Sequence, residues 1–545
     1  MRTPAARLLV VIVALALFGA GVWGVVSWLT GGSSGSGGSA RSSPSSTSEE
    51  RLPVSASTRL SDLVPAPVRA QPAAGADWAL TAKARIRTAP GSAEAARTGE
   101  YLAKLLRPAT GFDLPVQKGS GGASDIALVI EPGAADGPEG YRLDIGPDGV
   151  TVRAAQPAGL FHGVQSLRQL LPPQIESPTR VAGVTWALPG GSITDRPRFA
   201  YRGLSLDIAR HYFTPAEVRR FVDHLARYKF NHLHLHLTDD QGWRIAIEGR
   251  PRLTEIGAAT QARGGPGGFW TQDDYRAVVA YAAEHHITVV PEIDMPGHTN
   301  AALVAYPELG CDGKTYEPYT GTQVGFSALC VESEETYAFL DQVIGQIAAL
   351  TPGPYVHIGG DEAHTLSAER YAAFMDRAQQ IVVRHGKRVM AWNQLADATP
   401  VPGAVVEYWR PDARDAEAVA RAARAGAQVV MAPADHTYLD MAYAPGERLG
   451  TKWAGFVDVE QSYAWDPATN VPGVPEESVI GVEAALWTET VGSVADAEYL
   501  VFPRLLSAAE AAWSPRETHD WQAFRARWAA QTPRWDIAGI TYARR

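Results

Sequence analysis

The chain has 545 residues, 46% of them apolar and 15 of them Trp, which is too long for one ordinary domain and rich enough for a large packed core. Its 49 basic and 59 acidic residues leave a net charge of -10 without any basic block. That balance argues against nucleic acid as a partner and gives no reason to invoke an acidic lipid surface.

At the N-terminus, Arg2 and Arg7 precede "LLVVIVALALFGAGVWGVVSWL", an uncharged run from Leu8 to Leu29. It has the length needed to cross a bilayer as a helix and exceeds a usual signal-peptide core. Positive charge before it and none just after predict a cytoplasmic N-terminus and an exported body. Residues 1–30 therefore read as an uncleaved signal-anchor, with a cleaved signal peptide as the alternative; both predict an extracytoplasmic protein, membrane-anchored or secreted. Residues 31–58 are rich in Gly and Ser and read as a flexible linker.

Residues 59–195 read as a small α+β accessory domain. "ASDIALVIEP" is a strand, "YRLDIGPDGVTVRAA" a hairpin, and "EAARTGEYLAKLLRPATG" and "PAGLFHGVQSLRQLLP" are amphipathic helices. No chemistry clusters there.

From residue 196 to 545 the texture changes to short apolar runs separated by helical stretches. The runs are "YRGLSLDIAR", "FNHLHLHLTDD", "ITVVPEID", "YVHIGGDE", "RVMAWNQ", "AVVEYW", "AQVVMAPAD" and "VIGVEAALWTE". Among the helices, "TPAEVRRFVDHLARYKF" opens on a capping box of Thr214 and Glu217 with Pro215 at the first turn, and "TQDDYRAVVAYAAEHH" opens on Thr271. Eight such strands predict an α/β fold, a (β/α)8 TIM barrel preceded by the small domain. An open doubly wound sheet competes, but no glycine-rich phosphate turn supports it. The two cysteines, Cys311 and Cys330, predict one disulfide closing a surface loop in an exported protein, worth roughly 3 kcal/mol in the chain-entropy view. Two free buried thiols are the alternative, and two cysteines alone cannot make a common zinc site.

Most runs end, on their C-terminal side, in acids, amides or Trp: Arg210, Asp239, Asp240, Glu292, Asp294, Asp361, Glu362, Trp392, Asn393, Trp409, Asp435, Trp487 and Glu489. Barrel sites are built at that end, so these groups are expected to ring a mouth. Acids and Trp around one cavity suggest a sugar, with rings covering its apolar face and acids taking its hydroxyls. Glycoside hydrolysis normally needs two carboxylates flanking the bond. Neighbours on a strand point opposite ways, so Asp361 and Glu362 are expected to have different tasks.

The stretches "LDIARHYF", "YKFNHLHLHLTDDQGWRIAI", "VVPEIDMPGHTNAAL", "YVHIGGDEAH", "TYLDMAY", "KWAGF" and "GVEAALWTET" resemble the β-N-acetylhexosaminidases of glycoside hydrolase family 20, in family order, and "FHGVQSLRQLL" resembles the usual small N-terminal domain. The resemblance implies retaining hydrolysis of terminal β-linked N-acetylglucosamine or N-acetylgalactosamine, the substrate's own acetamido oxygen being the nucleophile, with no cofactor and no metal. It implies Glu362 as general acid/base, Asp361 as acceptor of the acetamide N–H, and Tyr438 as the hydroxyl holding the acetamido oxygen. Asp239 and His298 would support the acid/base residue, with Glu292 and Asp294 beside them. Trp392, Trp409 and Trp487 would box the sugar and Trp453 would lie under the next one. Arg210, Asp440 and Glu489 would grip hydroxyls of the terminal sugar, and Asp294 is counted with these substrate-binding residues. Family members usually carry a carboxylate where this chain has Asn393.

The alternating His232, His234 and His236 could suggest a metal, as in barrel amidohydrolases, but they lie within the run and read as structural core residues. Two other functions remain in view: a non-catalytic sugar-binding surface protein and a metal-dependent amino-sugar deacetylase.

Overall fold

The structure, a computed structural model, describes residues 58–545; the predicted N-terminal anchor and nearly all of the linker lie outside the described residues. Among the described residues no helix is long and apolar enough to cross a membrane. Eight parallel strands close into a barrel: β1 (Tyr201–Asp207), β2 (His232–His236), β3 (Thr288–Glu292), β4 (Tyr355–His357), β5 (Arg388–Trp392), β6 (Val405–Tyr408), β7 (Gln428–Met431) and β8 (Val479–Leu486). Each lies within one of the eight runs picked out by their apolar content and polar ends.

Helices α1 (Pro215–Arg227), α2 (Gln272–Glu284), α3 (Glu334–Leu350), α4 (Ala368–Arg384) and α5 (Ala413–Arg424) wrap the outside. The expected capping box forms, Thr214 Oγ1 accepting from the Glu217 N–H at 3.3 Å while Glu217 accepts from the Thr214 N–H at 2.7 Å, and Thr271 makes the same exchange with Asp274. The alternation of strand and helix breaks at two places. Between β5 and β6 only a 3-10 turn, Asn393–Asp397, intervenes, and between β7 and β8 only the short helices Ala434–Thr437 and Val459–Tyr463 and a 3-10 turn, Glu476–Ser478.

The barrel interior is layered. At the N-terminal end of the strands Tyr201, Val290, Tyr355, Met390, Val405 and Val430 form an apolar plug. Above it the inward positions are ionisable and fully buried: His234, Glu292, His357, Glu407 and Glu483. Gly203 makes room for this layer, since a Cβ there would lie 2.2 Å from Glu483 Oε2. At the C-terminal end Trp392, Trp409, Tyr438 and Trp487 form an aromatic cluster separate from the main core.

The small domain is a seven-stranded mixed sheet, ordered Arg69–Pro72, Gly191–Asp195, Tyr141–Gly146, Gly149–Ala154, Ile126–Ile130, Ile86–Thr88 and Val116–Lys118, with helices Ala93–Thr110 and Pro157–Leu170 packed on it. It meets the barrel beside the N-terminal ends of β1 and β2, away from the mouth. There buried Asp195 accepts from Tyr141 Oη at 2.7 Å, Lys229 Nζ at 3.0 Å and Trp513 Nε1 at 3.0 Å, and Arg202 pairs with Glu139. Burial pushes the Lys229 amine below its usual range while Asp195 opposes the shift. Replacing Asp195 by Ala would strand that cation in the interior. We expect Asp195→Ala to lower the unfolding free energy by roughly 3–5 kcal/mol in a denaturant titration, with turnover per folded molecule unchanged; full stability in the variant would refute the tie.

Candidate active site

The stretch after β4 sets the site. Strand pairing ends at His357, and Gly359 and Gly360 turn the chain with φ of 59° and 101° across the top of the barrel. Asp294 presses against this turn: it accepts from the Gly360 N–H at 3.2 Å, and a Cβ on Gly359 would lie 1.7 Å from its carboxylate oxygen. Glu362 then adopts a left-handed backbone, φ 48°, unusual for a residue with a Cβ. The expectation that Asp361 and Glu362 point apart is therefore corrected. Neither is in a strand, and both carboxylates face the same imidazole: His298 Nε2 lies 3.6 Å from Asp361 Oδ2 and 3.5 Å from Glu362 Oε2. His298 itself sits at φ 54°.

Behind His298 runs a chain of paired acids and imidazoles. His298 Nδ1 is 3.3 Å from Asp239 Oδ1, His236 Nε2 is 2.8 Å from Asp239 Oδ2, and His236 Nδ1 is 2.5 Å from Glu292 Oε2. His234 continues it, 3.1 Å from Glu292 and 2.7 Å from Glu483. Burial disfavours charge on each imidazole, but Asp239 and Asp361 around His298, and Glu292 with Asp239 around His236, outweigh it and hold both well above the usual histidine range. His234, between Glu483 and Glu292, overcomes its burial likewise and is raised to about 9. Burial opposes ionisation of Asp239 and Glu292 as well, yet Arg210 and His298 beside the first, and His236, His357 and His234 beside the second, keep both carboxylates well below their usual range. Glu407 faces Glu483 instead, so burial and like charge push it well above the usual carboxylate range. His234 and His236 thus direct both ring nitrogens at carboxylates, and His232 stacks on Tyr201 at 4.0 Å and bonds Asn231 at 2.7 Å.

The two catalytic candidates differ electrostatically. Burial raises Asp361, against the pull of His298 and with a push from the neighbouring Glu362. Burial of Glu362 is outweighed by its contact with His298 and by the charges of His298, Arg210 and Arg410, which lower it. The two carboxylates are therefore pushed in opposite directions, Asp361 up and Glu362 down.

A cavity of about 410 Å³ opens above the pair. Its floor and walls are aromatic: Trp409 lies parallel to Tyr438 at 6.2 Å, Tyr438 meets Trp487 at 6.0 Å, and Trp453 stands on edge to Trp409 at 5.6 Å and to Tyr438 at 5.7 Å. Trp392 backs Trp487 at 5.6 Å and donates its Nε1 hydrogen to Glu292 Oε1 at 2.9 Å. At the other end Arg210 is clamped by Asp239 at 2.9 Å, Asp207 at 3.3 Å and Glu489 at 3.4 Å, with its guanidinium 4.8 Å over Trp487. Asp440 accepts from Thr451 Oγ1 at 3.1 Å; burial and then the Glu489 charge push it up to about 8. Four buried polar atoms here, Asp361 Oδ1, Asp440 Oδ1, Glu489 Oε2 and Arg210 Nε, have no hydrogen-bond partner among the described residues. Buried polar atoms are rarely left so, and an aromatic floor rimmed by open acceptors suits a ligand with one apolar face and several O–H or N–H donors.

The structure brings Arg210, Asp361, Glu362, Trp409, Tyr438, Trp453, Trp487 and Glu489 to the cavity lining, with His298, Asp239, Trp392 and Asp440 directly behind it. Asp294 was expected to bind substrate. Its position corrects this, because it is buried beneath the Gly359–Gly360 turn, outside the lining, where it supports Asp361. Asn393 Oδ1 accepts from the backbone N–H groups of Trp409 at 3.2 Å and Arg410 at 3.3 Å and so fixes the end of β6. Cys311 and Cys330 are bonded, closing the loop whose Thr322 and Val324 line the cavity. Those two residues, Arg263, Arg410, Thr451 and Thr490 escaped the sequence reading. Arg410 alone carried a signal, as a cation directly after a strand-terminal Trp.

The profile of "Glycosyl hydrolase family 20, catalytic domain" matches residues 199–516, and that of "Glycosyl hydrolase family 20, domain 2" matches residues 60–196. A beta-N-acetylhexosaminidase of Cellulomonas fimi is 41% identical over 481 residues, spanning 88% of this chain and 95% of that protein. Among solved structures, a mutant Streptomyces plicatus beta-hexosaminidase in complex with its product GlcNAc superposes with a TM-score of 0.87 at 53% identity, covering 90% of this chain and 97% of that one. The GH20 beta-N-acetylhexosaminidase of Streptomyces coelicolor A3(2) gives a TM-score of 0.87 at 51% identity over 90% and 98%.

The raised His234 makes a pH prediction. Its extra stability is fully present below the unfolded value of 6.5 and is lost as pH rises through about 9, a difference of roughly 3 kcal/mol. The melting temperature should therefore fall across that window, and His234→Gln should flatten the fall; an unchanged slope in the variant would contradict a protonated core imidazole.

Proposed function

The chain belongs to glycosyl hydrolase family 20, and on that premise we propose that it is a retaining exo-β-N-acetylhexosaminidase removing terminal β-linked N-acetylglucosamine or N-acetylgalactosamine. The observation that carries the residue assignments is the pair Asp361 and Glu362 sharing His298 beneath an aromatic cavity with open acceptors.

The cavity, about 410 Å³, suits one sugar ring. Arg210, Asp440 and Glu489 take its hydroxyls at the closed end, and Trp487 with Trp409 covers its faces, Trp392 standing behind. Tyr438 fixes the acetamide so that its carbonyl oxygen attacks the anomeric carbon, an intramolecular step favoured by proximity. As the glycosidic bond breaks, Glu362 gives its proton to the departing oxygen and the sugar closes to an oxazolinium ion. Asp361 accepts the acetamide N–H and stabilises the positive charge. Water then attacks the same carbon from the vacated side, Glu362 takes its proton, and the product keeps the β configuration.

This sequence needs the proton on Glu362 and the charge on Asp361, against the direction in which the free site pushes each group. Substrate supplies the reversal: an N–H donor and developing cation favour ionised Asp361, and exclusion of water favours protonated Glu362. His298 Nε2, 3.6 and 3.5 Å from the two carboxylates, lies between them as a path for the proton.

We also propose that the enzyme works outside the cytoplasm, tethered through residues 1–30. The uncharged run Leu8–Leu29 and the Cys311–Cys330 bond support this. The full-length protein should sediment with membranes; recovery in the soluble fraction alone would rule out the anchor.

A chromogenic β-N-acetylglucosaminide should be turned over, and Glu362→Gln should lower kcat/KM by about 10²- to 10⁴-fold. The matching glucoside without the acetamide should be nearly inert. Comparable cleavage of that glucoside, or α-configured product by NMR, would sink the mechanism.

A further inference from the structure

Arg410 follows Trp409 at the end of β6, and its terminal nitrogen lies 3.5 Å from Glu362 Oε1. His298 approaches the other oxygen of that carboxylate, so Glu362 is held between two cations on opposite sides. The guanidinium lies 4.7 Å over the Trp409 ring, whose edge contacts Trp453 at 5.6 Å. Arg410 thus stands at the Trp453 end of the cavity, across Glu362 from Arg210, Asp440 and Glu489. That end receives the leaving sugar if the hydroxyls of the terminal one are taken by the Arg210 group.

Most of the Arg410 fork is uncommitted. Its side chain is 34% exposed, the Glu362 contact is long, and the remaining acid neighbour, Asp415, is 4.0 Å away. Burial pushes the Asp415 carboxyl above its usual range. Asn393 fixes the Arg410 backbone N–H at 3.3 Å and leaves the side chain free to turn. The other groups facing Glu362 cannot yield: His298 is 1% exposed, Arg210 is 5% exposed and clamped by three acids, and Asp361 is its buried chain neighbour.

We propose that Arg410 is a specificity-determining residue that selects a leaving sugar bearing a carboxylate over a neutral one; this rests on the hexosaminidase reading above. Two effects act together. The planar fork can pair with a carboxylate through two hydrogen bonds, stronger than any neutral contact at a partly exposed site. The same pairing draws the cation off Glu362, which must be protonated to release the leaving group. A neutral leaving sugar leaves Arg410 on Glu362 and favours its ionised form.

The test uses two disaccharides with the same β-1,4 linkage, N-acetylglucosaminyl-N-acetylglucosamine and N-acetylglucosaminyl-N-acetylmuramic acid, which differ by one lactyl ether carboxylate. The wild-type protein should prefer the acidic one by about tenfold in kcat/KM at low salt, with the preference shrinking as ionic strength rises. Arg410→Gln should erase the preference, Arg410→Lys should retain part of it, and the basic limb of the neutral substrate's pH profile should move up in Arg410→Gln. An equal ratio in wild type and Arg410→Gln, or a wild-type preference for the neutral sugar, would overturn the proposal while leaving the hexosaminidase reading intact. Failure of the wild type to cleave either disaccharide would overturn that reading as well.

Discussion

Glu292, at the end of β3, engages four side chains at once: Trp392 Nε1 at 2.9 Å, His236 at 2.5 Å, and His234 and His357 each at 3.1 Å. A carboxylate so deeply buried is costly unless cations and donors surround it, and these four meet the need. The constraint then propagates. His236, held by Glu292, orients Asp239; Asp239 orients His298; His298 faces Asp361 and Glu362. Through Trp392 the same carboxylate also fixes the indole behind Trp487. The acid/base pair and the aromatic wall are therefore registered to each other by one ionised group that neither touches substrate nor lines the cavity.

The order of the eight strands and the position of the mouth were readable because each run is short and largely apolar and breaks into polar or indole residues where it leaves the sheet. Three things were not readable. The shared orientation of Asp361 and Glu362 depends on a left-handed backbone at Glu362, and strand alternation, the natural guide, stops at His357. The partners of the histidine triplet lie on distant strands. His234 alone looks like any buried histidine, and only folding brings Glu483 within 2.7 Å of it. Thr322, Val324 and Arg263 come from loops whose course is set by long-range contacts, such as the Arg263 N–H bonded to the Thr320 carbonyl at 2.7 Å.

The small domain's strands Arg69–Pro72, Ile86–Thr88 and Val116–Lys118 are too short for alternation to register, whereas its two helices are long and were found. Its function follows from where it grips. Asp195, Lys229 and Trp513 lock it to the end of the barrel away from the cavity, so it stabilises the scaffold without shaping the pocket.

The absent helix between β5 and β6 constrains how such a pocket can diversify. Asn393 and Gln394 sit in the 3-10 turn that replaces it, and they hold Trp409 by its backbone N–H at 3.2 Å and its indole N–H at 3.0 Å. Lengthening this connector by even one residue would slide one indole past its neighbours and break the enclosure. The disulfide-closed loop and the segment bearing Trp453 lie outside this connector, so residues added there leave Trp392 and Trp409 in place. Insertions that retune the grip on the departing half of a glycan are therefore channelled to those two rims, while the strip joining Trp392 to Trp409 stays fixed in length.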